Sequence, residues 1–202
     1  MRVNKHEHTC VIGEHEDYLF RQVRECSLCA SHLPLSPRPI VQGSATSSIL
    51  IIGQAPGIKA HDSHTPWNDP SGDRLRLWLG LTKQQFYDNK HLAILPMGFC
   101  YPGKGKSGDL PPRRECAPRW HNPLINLMQI SVTLLIGQYA QQYYLQDDKT
   151  LTDRIKNWRD YLPQYFVLPH PSPRNNIWLK RNPWFEQDVL PCMRERLQGL
   201  YK

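Results

Sequence analysis

The chain has 202 residues, 40% of them hydrophobic, which is the length of one ordinary domain with apolar side chains enough for a single sizeable core. Its 25 Lys and Arg against 18 Asp and Glu leave a formal charge of +7, which favours an anionic partner, nucleic acid ahead of an acidic membrane surface. No run of about 18 apolar residues occurs and Met1 to Cys10 is polar and His-rich, so neither a membrane span nor a signal peptide is expected, and a cytoplasmic protein is. In a reducing compartment the six cysteines argue against disulfides, and the Cys26-x-x-Cys29 pair points to metal or redox chemistry.

In chain order, residues 1–16 read as a polar tail. A short helix from about Asp17 to Arg24 leads into Cys26-Ser27-Leu28-Cys29, and Pro34 to Pro39 force an extended connector. Ser48 to Ile52 is an uninterrupted apolar strand of the kind buried on both faces of a parallel sheet, ending at Gly53. Ser71 can cap a helix whose Leu75, Trp78 and Leu79 form one stripe. A second strand, Leu92 to Leu95, precedes a Gly, Pro and Lys-rich loop from Tyr101 to Arg114 and a helix from about Arg119 to Met128. Strand Thr133 to Ile136 is followed by helix Gln138 to Leu145, and helix Thr152 to Leu162 by strand Tyr165 to Leu168. Asn182-Pro183 opens a last helix to about Leu200, kinked or divided at Pro191. Strands alternating with helices specify an α/β fold, a three-layer α/β/α sandwich on a mostly parallel sheet of about four strands, as one domain. Gln54, Cys100 and His170 follow strand ends, where such sheets carry their working residues.

Three segments read together, Gly53-Gln54-Ala55-Pro56-Gly57, Pro66-Trp67-Asn68-Asp69-Pro70-Ser71-Gly72 and Leu168-Pro169-His170-Pro171-Ser172-Pro173, resemble the uracil-DNA glycosylase superfamily in order and in placement beside strands. Within it the chain resembles the iron-sulfur branch, whose four cysteines would fall on Cys26, Cys29, Cys100 and Cys116. The resemblance implies a 4Fe-4S cluster on these thiolates; zinc could use the same four sulfurs, and ordinary unligated thiols are the third possibility. Cys10 and Cys192 have no place in that pattern, and the His6, His8, Cys10 and His15 group reads as a solvated tail.

The same resemblance implies a monomeric base-excision repair enzyme that flips a nucleotide from DNA and hydrolyses the N-glycosidic bond of uracil or another deaminated or damaged base. It places Trp67 on the flipped base, with Ala55, Met97 and Gly98 around it, and His170 beside the base's carbonyl oxygen. Ser172 is expected to hold a phosphate, with Arg174, Asn175 and the basic loop residues Lys104 and Lys106 along the DNA backbone.

Three positions depart from the family pattern. The branch usually carries Glu where Gln54 stands and a further acid where Ala60 stands, so water activation falls to His61 or Asp62, with Asp69 and Asp109 behind them. An Asn that reads uracil in the family is replaced by Pro96, which has no side-chain hydrogen bond to offer. Two other functions stay open on these departures: a non-catalytic DNA-binding module on the same fold, and a nucleotide hydrolase.

Overall fold

The computed structural model describes residues 18–201. The predicted tail and its His and Cys group lie outside the described residues. The helix expected from Asp17 appears as α1 (18–24), with Leu19, Phe20 and Val23 buried against the core.

The apolar runs become β1 (Ile49–Ile52), β2 (Leu92–Ile94), β5 (Val132–Ile136) and β6 (Tyr165–Leu168), in the order β2-β1-β5-β6. All three pairings are parallel: Ile49 lies beside Leu92 and Val132, and Thr133 beside Tyr165. Every residue of β1, β2 and β5 is buried, so both faces of the sheet are covered, which completes a three-layer α/β/α sandwich. The edge of β2 is closed by an extended segment: Gln42 and Ile94 exchange backbone hydrogen bonds, and the Gln42 amide donates to the Phe86 and Leu92 carbonyls.

Local chemistry sets the helix ends. Asp69, and not the expected Ser71, caps α3 (Pro70–Leu79) by accepting from Gly72 N at 2.8 Å, and Pro70 stands where its missing N–H costs nothing. Gly80 ends α3 in the left-handed conformation, φ 67°. α3 packs on α9 (Leu190–Gln198), with Trp78 edge-on to Phe185 at 5.0 Å between centroids. The helix expected over 119–128 is shorter: a π-helical turn, Ala117–His121, runs into α5 (Asn122–Ile125). Helix 152–162 divides into α7 (Leu151–Lys156) and a 3₁₀ turn, Trp158–Tyr161. The division foreseen at Pro191 takes the form of a π-helical turn, Phe185–Val189, with Pro191 in the first turn of α9. α6 (Gln138–Leu145) has the expected bounds.

Among the elements that carry no prediction are α2 (Ile58–Ser63), α4 (Lys83–Phe86), α8 (Asn176–Arg181), and a hairpin of β3 (Lys104–Gly105) with β4 (Gly108–Asp109). The hairpin corrects the reading of 101–114 as plain loop. Gly105 pairs with Gly108 across a two-residue turn, Lys106 and Ser107, and Gly108 takes φ 139°, a conformation that glycine adopts without a Cβ penalty.

Candidate active site

The sheet order reverses direction at β1, which has β2 on one side and β5 on the other, and the crevice beyond such a point is where α/β sheets bind ligands. A cavity of about 500 Å³ opens there, within the range of small-ligand sites. Gly53 to Gly57 floor it, Trp67 and His170 wall it, and Ser172, Arg174 and Asn175 form one rim. The β3–β4 hairpin forms the opposite rim with Lys104, Ser107, Gly108 and Asp109.

Trp67 and His170 stand with ring centroids 5.5 Å apart and planes tilted by 35°. Glycines on two sides set the Trp67 ring: a Cβ at Gly53 would lie 2.7 Å from the indole, and one at Gly72 would overlap the Trp67 carbonyl oxygen. Trp67 itself has φ 54°, a conformation that costs a non-glycine residue about 1–3 kcal/mol unless the surroundings impose it. Here Arg76 donates to the Trp67 carbonyl at 3.2 Å, and the Tyr87 hydroxyl donates to that of Pro66 at 2.9 Å. Gly72→Ala is therefore expected to destabilise the protein by about 3 kcal/mol in a urea titration and to alter tryptophan fluorescence, because backbone rather than a flexible side chain must yield.

His170 keeps part of its surface at the cavity while burial pushes its imidazole below the usual range; the Asp69 carboxylate opposes this. A neutral ring at neutral pH follows. The His170 carbonyl accepts from the Asn175 amide at 2.7 Å, and Arg74 of α3 donates to the Ser172 carbonyl at 3.1 Å. Ser172 Oγ accepts from Arg174 N at 3.3 Å. The turn is thus fastened to α3 and to the residues that follow it. Arg174 also donates to the Ser107 carbonyl, latching the hairpin to the opposite rim, and the Gln54 amide reaches the Leu110 carbonyl at 3.5 Å.

The predicted site residues do not all meet here. Gln54, Ala55, Trp67, His170, Ser172, Arg174, Asn175 and Lys104 line the cavity; Lys106 is exposed at the hairpin turn. Met97 and Gly98 do not line it, and their N–H groups are spent on the Gly53 and Gln54 carbonyls at 2.9 and 3.0 Å. These donors brace the floor turn instead of facing a ligand. His61 and Asp62 also stand outside: His61 is buried in α2, with burial and Arg38 lowering its pKa, and Asp62 is exposed. The helical period turns Ala60 to the cavity and its neighbours away. The carboxylates that do line it are Asp69 and Asp109.

Pro96 lines the cavity, and its carbonyl is held from below by a residue that the sequence did not single out. His121 is 1% exposed, with Nε2 at 3.0 Å from the Pro96 carbonyl and Nδ1 at 2.7 Å from the Tyr144 hydroxyl. A carbonyl can only accept, so Nε2–H donates and Nδ1 accepts from Tyr144. Burial lowers His121 to about 4, which keeps that tautomer neutral.

Cys26, Cys29, Cys100 and Cys116 converge on a second, apolar cavity of about 20 Å³, although 90 residues separate the first from the last. Their surroundings suit sulfur ligands: the Phe99 N–H donates to Cys116 Sγ at 3.4 Å, the Arg38 backbone to Cys100, and the Arg113 side chain to Cys29. No three His, Cys, Asp or Glu side chains among the described residues are grouped to hold a single metal ion. Four cysteine sulfurs are a donor set that a 4Fe-4S cluster and a zinc ion share, and the space among them holds about one water. As free thiols, Cys100 and Cys116 are pushed by burial up to about 11 and about 12.

Fold and site together define a class: an α/β domain with an aromatic and histidine-walled pocket at the switch point of its sheet and cationic rims. The profile of the Uracil DNA glycosylase superfamily matches residues 40–194, and the chain belongs to that superfamily. Among solved structures it is similar to the solution NMR structure of a Methanosarcina acetivorans protein provisionally described as a uracil DNA glycosylase, at 17% identity and a TM-score of 0.46, covering 78% of this chain and 95% of that one. No helix among the described residues is long and apolar enough to cross a membrane.

Proposed function

We propose that the protein is a DNA base glycosylase that hydrolyses the N-glycosidic bond of uracil or another deaminated or damaged base flipped out of DNA. The observation that carries this reading is the pairing of Trp67 and His170 across one cavity at the mouth of β1 and β6, rimmed by Lys104, Ser172 and Arg174. The indole face offers a flipped base stacking worth about 1–3 kcal/mol. The neutral His170 ring offers an N–H to a base carbonyl oxygen as negative charge grows there, and acts best when that charge is fully developed. Ser172, Arg174 and Asn175 would seat the phosphates on one rim, and Lys104 and Lys106 those on the other.

In the reaction, the bond from the base nitrogen to C1′ breaks with its electron pair leaving on the base, and water adds its oxygen to C1′ while losing a proton. Pro96 removes the amide by which uracil would be read on that side, so this pocket discriminates through Gln54 and shape. In this reading Cys26, Cys29, Cys100 and Cys116 hold a 4Fe-4S cluster, which when bound supplies a covalent tie between the segment after α1, the end of β2 and the start of the π-helical turn.

A glycosylase assay over a base panel, in single-stranded and duplex oligonucleotides, tests the reading: abasic-site formation on at least one base is the expected result. Tight, salt-dependent binding without any base release would leave a binding module on the glycosylase fold. Equal release from free nucleosides would mark a nucleotide hydrolase.

A further inference from the structure

With Trp67 and His170 assigned to the base, a group is still needed for the water that attacks the sugar. The floor turn and α2 supply no proton acceptor, because the Gln54 amide cannot take a proton and Ala55 and Ala60 present only methyl groups to the cavity. Of the two lining carboxylates, Asp69 is committed to α3: its Oδ1 accepts from Gly72 N at 2.8 Å. Moving that carboxylate would uncap the helix that fixes Trp67.

Asp109 has no such duty. It ends β4, lies across the hairpin from Lys104, and brings Oδ2 over the floor so that a Cβ at Gly57 would meet it at 3.4 Å. The hairpin is held in that position from the far rim by Arg174 on the Ser107 carbonyl, and Gly108 is glycine where any Cβ would strike the Arg174 guanidinium. The latch thus reaches across the cavity mouth and fixes the residue next to Asp109.

We infer that Asp109 orients and deprotonates the hydrolytic water, so that the carboxylate absent from the floor turn is delivered by the β3–β4 hairpin. The inference rests on the base-release reading and deepens it. As the water oxygen bonds to C1′, its proton passes to the Asp109 carboxylate; the glycosidic electron pair leaves on the base against the His170 N–H, and the base later takes a proton from solvent. Burial raises the Asp109 pKa above the ordinary Asp value of 3.8, with Arg174 and Lys104 pulling it back and Asp69 reinforcing it. Tyr101 also faces this carboxylate from the start of the loop. A raised pKa makes a carboxylate a better proton acceptor.

The test is single-turnover base release on the same oligonucleotide panel, with DNA affinity measured separately by fluorescence anisotropy. Asp109→Asn is expected to lower the rate about 10²- to 10⁴-fold with affinity unchanged or tighter, and to remove the acid limb that this carboxylate gives the wild-type pH profile. Thermal melting should show the variant at least as stable as wild type, since a carboxylate whose pKa is raised by folding opposes folding once ionised. Asp109→Ala with added sodium formate gives a second reading: restoration of the rate by formate supports the role. Wild type active with Asp109→Asn within about threefold of it overturns the inference and leaves the glycosylase reading intact. Wild type inactive on every base overturns both.

Discussion

His170→Ala is expected to lower single-turnover base release about 10²- to 10³-fold while changing DNA affinity little, because the lost N–H acts on charge that exists only as the bond breaks. In the proposed reading affinity resides mainly in Trp67 and the cationic rims, which the substitution leaves in place. A fall in affinity as large as the fall in rate would instead assign His170 to ground-state binding. The pH dependence of stability gives a second measurement. The folded pKa of His170 lies below its ordinary value of 6.5, so the unfolded chain binds the proton more readily, and stability rises with pH across the window between the two. His61 and His121 carry shifts of the same sign. Wild type should therefore lose stability as pH falls below 6.5; lowering His121 to about 4 alone accounts for about 3 kcal/mol by the bottom of its window. His170→Ala should flatten part of that decline, a change read from urea titrations at pH 5 and 7.

The proposed cluster at the second cavity carries the other large expected effect. If the four thiols hold a cluster, anaerobically purified wild type is brown and contains iron, and Cys116→Ser loses both the colour and about 3 kcal/mol of stability. The magnitude follows from chain entropy: tying position 100 to position 116 closes a loop of about 15 residues, comparable to a covalent cross-link of that span. The loop so closed carries the β3–β4 hairpin, so the loss should also weaken DNA binding through Lys104 and Lys106. Iron-free wild type with Cys116→Ser unchanged in stability would reduce the four residues to partly buried, unligated cysteines.

The histidine and tryptophan of the cavity were legible in the sequence because each sits in a short turn directly tied to a strand or a helix cap: His170 two residues beyond β6, Trp67 two residues before the Asp69 cap. The order of the candidates for water activation was not legible in the same way, His61 and Asp62 standing ahead of Asp69 and Asp109 in the sequence reading. His61 and Asp62 lie near the floor turn along the chain, but α2 turns them from the cavity, whereas Asp109, more than fifty residues from Gln54, is carried to it by the hairpin. Met97 and Gly98 were placed correctly after β2 and still proved unavailable, because the floor turn takes their N–H groups. His121 carried no signal in the sequence; only packing shows that it clamps Pro96.

By itself the sequence determined what depends on neighbours along the chain: four apolar strands, their alternation with helices, and the stripe of Leu75, Trp78 and Leu79 on the helix after Gly72. Side-chain periodicity and local hydrogen bonding act within a few residues, so these features are written where they occur. The tertiary structure alone decided which polar groups share a cavity. Convergence of Cys26 with Cys116, the Arg174 latch on Ser107, and the approach of Asp109 to Gly57 each join segments far apart in sequence, and such contacts follow from strand order and packing that no local pattern encodes.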